Sequence, residues 1–271
     1  MKRLRSIVEK FNLNSPLPGL PQKPIDIGNG QSYTPGPNMQ IRDVAASYMK
    51  SAGLKHNPPN DYKEVDKVRA GRIAGEFDKM KHDPDHPAVK ASYEALAKET
   101  MAQFHHIKKT TGLKVSWMKP GQADPYAKTP HLGAKDVKEN NHLWAYPTDS
   151  GFGSGSNPSH ENHPMLAKTG VVEGGHEMRV NDAFRVVHDY FGHFKEGFGF
   201  RANGEENAWR HHASMFSPQA RGAMTSETRG QNSWVNFGPH GEKNRKANSA
   251  DTVYAPQKVG LMPKWTHTEG L

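Results

Sequence analysis

Apolar residues recur at helical spacing along most of the chain from Ile41 onward. Between residues 61 and 80, Val65, Val68, Ile73 and Phe77 form one stripe, interleaved with Lys67, Arg69 and Arg72. Between residues 86 and 111, Val89, Tyr93, Leu96, Thr100 and Phe104 form another. With a shorter pattern over residues 43–52 they predict three packing helices with solvated basic faces, the last two separated by the prolines of HDPDHP. In LKVSWM and HLWAYP the pattern alternates instead, which predicts a small two-stranded sheet or a pair of edge strands.

The helical period returns at Asn181, a side chain able to accept the first orphan N–H groups of a helix. Phe184, Val187, Phe191 and Phe194 then make an apolar stripe. A second helix is expected with Asn203 as N-cap and Glu206 three residues on, running through Trp209, His212 and Phe216. A third takes Ser217 as N-cap and Pro218 at its first position and carries Ala220, Ala223, Met224 and Glu227. The fold class that follows is mainly α with a minor β component, one globular domain over residues 41–271. Residues 1–40 read as a basic arm, whose six prolines from Pro16 to Pro37 exclude regular structure and leave it little to bury. It is a tether or a wrap, expected to be dispensable for folding.

Composition narrows the chemistry. The 271 residues contain no cysteine, so any metal must be held by His and carboxylate groups. A formal charge of +8 favours polyanionic partners, with nucleic acid or nucleotides first among them. No apolar run approaches the roughly 18 residues needed to span a bilayer. The start, MKRLRSIVEKFNLN, lacks the apolar region of a signal peptide, and a cytoplasmic location without membrane contact is the expectation. The oligomeric state has no signature.

Metal-binding and acid/base side chains are densest between residues 181 and 231. His188 and His193 are five residues apart, about 140° around a regular helix, so they share a face only if the helix changes between them. Gly192 is where a stop is expected, which lets His193 swing back toward His188. A carboxylate from a later helix completes a facial triad, the ligand set that suits Fe(II), and Glu227 is the candidate. Asp189 is then a supporting group that fixes a histidine tautomer. Gln231, Asn232 and Trp234, close to Glu227 in sequence, become candidate substrate-orienting groups and pocket wall. His211-His212 reads most simply as a solvent-facing pair, and Glu205-Glu206 as acids favoured at a helix N-terminus.

His188-Asp-Tyr-Phe-Gly-His193 resembles the His-Glu-Leu-Leu-Gly-His motif of the pterin-dependent aromatic amino acid hydroxylases, with the same histidine spacing and the same Gly before the second His. The resemblance covers about residues 184–230. It implies an iron site with a Glu two helices downstream, a place that Glu227 matches 34 residues after His193. Asp189 stands for the family's Glu and Tyr190-Phe191 for its paired Leu, and no pterin-binding segment is found, so the resemblance carries the iron rather than the pterin. The same residues are similar to the His-Asp-x-Gly-His turn of HD-type metal phosphohydrolases, one residue longer here. That similarity implies Mn or Mg held by His188 and Asp189, with His160, His163 or His176 upstream and Asp251 downstream. A non-catalytic basic nucleic-acid-binding or particle-associated protein is the remaining expectation.

Overall fold

The computed structural model describes residues 15–150, 152, 162–248 and 251–268. The mainly helical class expected from the pattern is what forms, with three two-stranded sheets among the described residues.

The segment read as an arm contributes structure. Strands β1 (Ile25–Gly28) and β2 (Gln31–Tyr33) pair antiparallel across a turn at Asn29 and Gly30, both with positive φ. Prolines exclude helix here, but residues 25–33 contain none, and that is enough for a hairpin. Leu20 is buried with Phe198 and Ala208, and the Asn38 N–H donates to the Lys195 carbonyl at 3.0 Å. Residues 15–38 are therefore a wrap bound to the domain, one of the two forms expected, and their hairpin corrects the expectation that the prolines exclude regular structure there. Residues 1–14 lie outside the described residues.

Helix α1 (Met39–Ser51) is capped by Asn38, whose side chain accepts the Ile41 N–H, and begins four residues before the expected start. Helix α2 (Lys67–Lys79) is capped by Asp66. It begins later than expected because residues 61–66 are held extended: the Asn207 side chain accepts the Lys63 N–H at 3.0 Å and the Asn203 side chain accepts the Val65 N–H at 2.9 Å. Helix α3 (Pro87–Thr111) begins where expected, with His86 as cap.

Strands β3 (Lys114–Trp117) and β4 (His142–Ala145) are the two alternating segments, and they pair in parallel with Val115 opposite Leu143. Parallel neighbours need a crossover, and α4 (His131–Asn140), which the hydrophobic pattern did not reveal, provides it. A second hairpin, β5 (Lys168–Glu173) and β6 (His176–Arg179), leads into α5 (Val180–His188). Then come α6 (Ala202–Ala213), α7 (Pro218–Thr225), α8 (Gln231–Phe237) and the short α9 (Gly241–Asn244). Ser217 caps α7 with Pro218 at its first position, as the sequence implies.

Helix α5 lies between two halves of the core. Phe184 packs with Tyr93, Leu96, Trp209 and Phe216, whereas Val186, Val187 and Phe191 pack with Ile41, Tyr48, Phe104 and Leu143. Burying an aromatic or large aliphatic side chain contributes about 1.5–3 kcal/mol each, so α5 is fixed from both sides. No helix among the described residues is long and apolar enough to cross a membrane.

Deleting residues 1–38 removes the Asn38 cap, the Leu20 contact and the hairpin together. We expect the thermal midpoint to fall by at least about 5 °C, at roughly 2–4 °C per kcal/mol for a chain of this size. An unchanged midpoint in a scanning calorimetry trace would show the wrap to be energetically idle.

Candidate metal centre

Helix α5 does not stop at Gly192. It continues as a π turn over Asp189–Phe194, in which the Lys195 N–H donates to the Tyr190 carbonyl five residues back. One extra residue per turn stacks positions i and i+5, and so brings His188 and His193 onto one face without ending the helix. Their rings meet edge to face with centroids 5.2 Å apart. Gly192 serves packing rather than termination: a Cβ there would stand 3.2 Å from His188 Nδ1 and 3.3 Å from the Ala208 carbonyl oxygen of α6. The turn ends at Gly197, whose φ of +83° only glycine adopts readily and whose absent Cβ would collide with the backbone of Gly36.

The carboxylate that joins the two histidines is Glu205, in the first turn of α6. One ligand atom from each of His188, His193 and Glu205 lies within 4.8 Å of the other two, the one such group of three or more among the described residues. Glu205 Oε2 is 3.5 Å from His193 Nε2.

Hydrogen bonds behind the histidines assign their tautomers. The Gln103 amide nitrogen donates to the Met215 carbonyl at 3.5 Å, so its oxygen faces His212 Nε2 at 2.8 Å and that nitrogen carries the ring proton. Burial, with His188, Lys195 and His193 nearby, holds the His212 pKa well below the ordinary imidazole value, so the ring is neutral and its Nδ1 is a lone pair. His188 Nδ1, 3.0 Å away, must then be the donor, which leaves His188 Nε2 as its lone pair. His193 donates from Nδ1 to the Gly199 carbonyl at 3.2 Å, which leaves its Nε2 for the Glu205 carboxylate. Two imidazoles and a carboxylate therefore converge. Three ligand atoms in one place repel one another unless a cation or a proton sits among them.

The titration behaviour has the same origin. Burial, with the charge of His193, pushes His188 down to about 3, so it is neutral at physiological pH. His193 goes the other way: burial lowers its pKa, but the Glu205 and Asp189 carboxylates and the Gly199 carbonyl more than reverse that. Glu205 is also desolvated, yet His193 and His188 keep it below the ordinary carboxylate range and therefore an anion. Asp189, raised by burial to about 6, lies within electrostatic range of His193 and Glu205. It does not fix either tautomer, since His212 and Gly199 do that, and this corrects the supporting role expected for it. Phe200 lies parallel on the His193 ring at 4.0 Å between centroids.

Glu227 is not gathered with the two histidines. It sits on a second π turn, Ser226–Gly230, between α7 and α8, and its carboxylate accepts from the Tyr93 hydroxyl at 2.5 Å and from the Gln231 amide at 3.0 Å, with His163 Nε2 at 3.5 Å. Gln231 also pairs with Gln257, Asn232 accepts from Asn236, and Trp234 donates to Asp78 at 3.1 Å within a cluster around Ile73 and Phe77. These four residues are engaged with other partners, and the structure does not gather them with His188 and His193. His160 lies outside the described residues. His176 pairs with Asp182, and the Asp251 N–H donates to the Asn248 side chain.

The expected solvent-facing pair His211-His212 is fully buried, and Glu205-Glu206 is divided between two jobs: Glu206 pairs with Arg229 at 2.5 Å while Glu205 faces the histidines. Asn203 does not cap α6, because its side chain is given to Val65. One signal in the sequence could have found the site: Glu205 and His212 are seven residues apart, two turns of helix, and so share one face. Neither a family model, nor a curated protein, nor a solved structure matches the chain.

Two outcomes are expected. His212→Phe keeps the aromatic packing against Phe184, Phe191 and Phe216 but removes the acceptor that orients His188. Metal affinity in a chelator competition should drop about 10- to 100-fold, and an unchanged affinity would dissociate His212 from the site. Glu227 is raised by burial to about 7, so its neutral form is the one the fold tolerates. The associated stability is complete below its unfolded value near 4.5 and is lost as pH rises through about 7. Glu227→Gln should flatten the decline in denaturant midpoint between pH 5 and 8 by up to about 1 kcal/mol per pH unit, the rest coming from Asp189. Equal slopes in the two proteins would refute this.

Proposed function

We propose that the chain is a mononuclear non-haem metal enzyme whose ion is held by His188, His193 and Glu205. The observation that carries this reading is the convergence of two imidazoles, each with Nδ1 committed as a donor, on one ionised carboxylate. Two histidines and one carboxylate leave coordination positions open, a set that suits Fe(II), which supplies oxygen-dependent oxidation when bound. Asp189, a buried acid that changes protonation near physiological pH, is placed to hold or release a proton beside the site. The net charge of +8 supports a nucleotide or nucleic-acid base as substrate over a free amino acid.

A second reading rests on Asp189 adjoining His188 within electrostatic range of His193, as in a divalent-metal phosphohydrolase using Mn or Mg. Metal content of three purified variants separates the two. For the iron reading, Glu205→Ala is expected to lose its metal, Glu227→Ala to keep it, and Asp189→Asn to keep most of it. Full metal in Glu205→Ala beside an empty Asp189→Asn would replace it with the phosphohydrolase, and full metal in all three would remove both.

A further inference from the structure

Strands β3 and β4 turn Val115, Trp117, Leu143 and Ala145 into the core, and on the opposite face they carry Ser116 and His142, both partly open to solvent. The proposed metal chemistry uses neither. The His142 ring bridges two partners: its Nδ1 lies 2.7 Å from Asp136 Oδ2 of α4, and its Nε2 lies 2.9 Å from Ser116 Oγ. The parallel register brings serine and histidine together on adjacent strands, and the crossover helix supplies the acid.

Asp136 sets the direction of these hydrogen bonds. The Tyr126 hydroxyl donates to the same Oδ2 at 2.7 Å, and the Asn140 amide donates to Oδ1 at 2.8 Å. Burial raises the Asp136 carboxyl, but the hydrogen bonds from Tyr126, Asn140 and His142 more than reverse that, so it is an anion and can only accept. His142 must then donate from Nδ1, which in the neutral ring leaves the Nε2 lone pair facing the Ser116 hydroxyl. Tyr126 is itself fixed, since it accepts the Trp144 N–H at 3.0 Å. The His142 side chain is 21% exposed, so the group lies within reach of a reactant rather than sealed in the core.

We propose that Ser116, His142 and Asp136 form a second catalytic site, which hydrolyses carboxylic esters. Ser116 Oγ attacks the ester carbonyl carbon and passes its proton to His142 Nε2, which delivers it to the departing alkoxide as the acyl–oxygen bond breaks. Water then attacks the acyl-serine, His142 takes its proton and returns it to Ser116 Oγ, and the acid leaves. Asp136 is a positioning residue that holds the ring in this tautomer. Lys114 and Trp144, on the same face, can donate to the oxyanion. Such donors are side chains rather than a rigid pair of backbone N–H groups, which suits an ester, with its good leaving group, over an amide. The site shares no residue with the metal centre.

The test uses the full chain with a metal chelator present throughout, so its outcome is independent of the metal reading. A fluorophosphonate, which loses fluoride to an activated serine, should label the wild type at Ser116, as located by peptide mass spectrometry. p-Nitrophenyl acetate should be hydrolysed above the buffer rate, faster as pH rises and His142 loses its proton. Ser116→Ala should lose both label and hydrolysis, and His142→Gln should label at least about 100-fold more slowly. Asp136→Asn should slow labelling about as much and move the rise in rate to lower pH, because the carboxylate that favours the charged ring is gone. The wild-type label needs no variant to fold, and its absence from Ser116 would overturn the proposal. Hydrolysis retained in Ser116→Ala, or an unchanged rate and pH profile in Asp136→Asn, would overturn it equally.

Discussion

The geometry of the centre depends on one extra residue in one helical turn. In a regular helix His188 and His193 would point about 140° apart, and the π turn removes that divergence while keeping the backbone hydrogen-bonded. A π turn is less favourable than the α-helix it interrupts, so something must hold it. Tyr190, Phe191 and Phe194, all buried, anchor it in the larger half of the core, and Phe191 stacks near Tyr48 and against His212. Gly192 lets α6 approach until the Ala208 carbonyl touches the turn. The site is thus stabilised by the same aromatic packing that forms the domain.

Helix α6 divides two π turns and treats them differently. Toward the first it presents Glu205 and, two turns on, His212; toward the second it presents Glu206 and Trp209, which receive Arg229 as an ion pair and as a cation over the indole at 3.8 Å. Adjacent residues on a helix point about 100° apart, and this is why Glu205 and Glu206 can serve opposite sides. Arg229 is nearly inaccessible, so its pairing with Glu206 works in a low dielectric, where removing one partner strands the other. The second turn is therefore locked to α6 by charge, and the first by the close approach at Gly192.

How much of this the sequence shows follows from which interactions are local. Helix α3, the Ser217-Pro218 start of α7 and the strands around Val115 and Leu143 are legible because periodicity and caps are short-range signals. The pairing of His188 with His193 is legible as a problem, since five-residue spacing demands a break in the helix, but not as its solution, because a π turn is stabilised by tertiary packing. Helix α4 is hidden by its few buried positions, Gly133, Ala134 and Val137. The N-terminal wrap is hidden for a different reason: the contact that buries Leu20 needs Phe198, almost 180 residues away.

The choice between Glu205 and Glu227 shows why a buried acid is not by itself a ligand. Both carboxylates lose hydration, Glu227 more completely than Glu205, and burial alone raises both toward protonation. Glu227 accepts from Tyr93 and Gln231, whose hydrogen bonds do not offset the loss of hydration, and it ends at about 7. Glu205 meets His193 and His188, and their charge and hydrogen bonding reverse the effect of burial, so that it remains an anion. A metal ligand must be deprotonated to bind. Sequence distance favoured Glu227, which lies two helices downstream, but the electrostatics favour the acid whose neighbours already stabilise its charge, and that acid lies only twelve residues beyond His193.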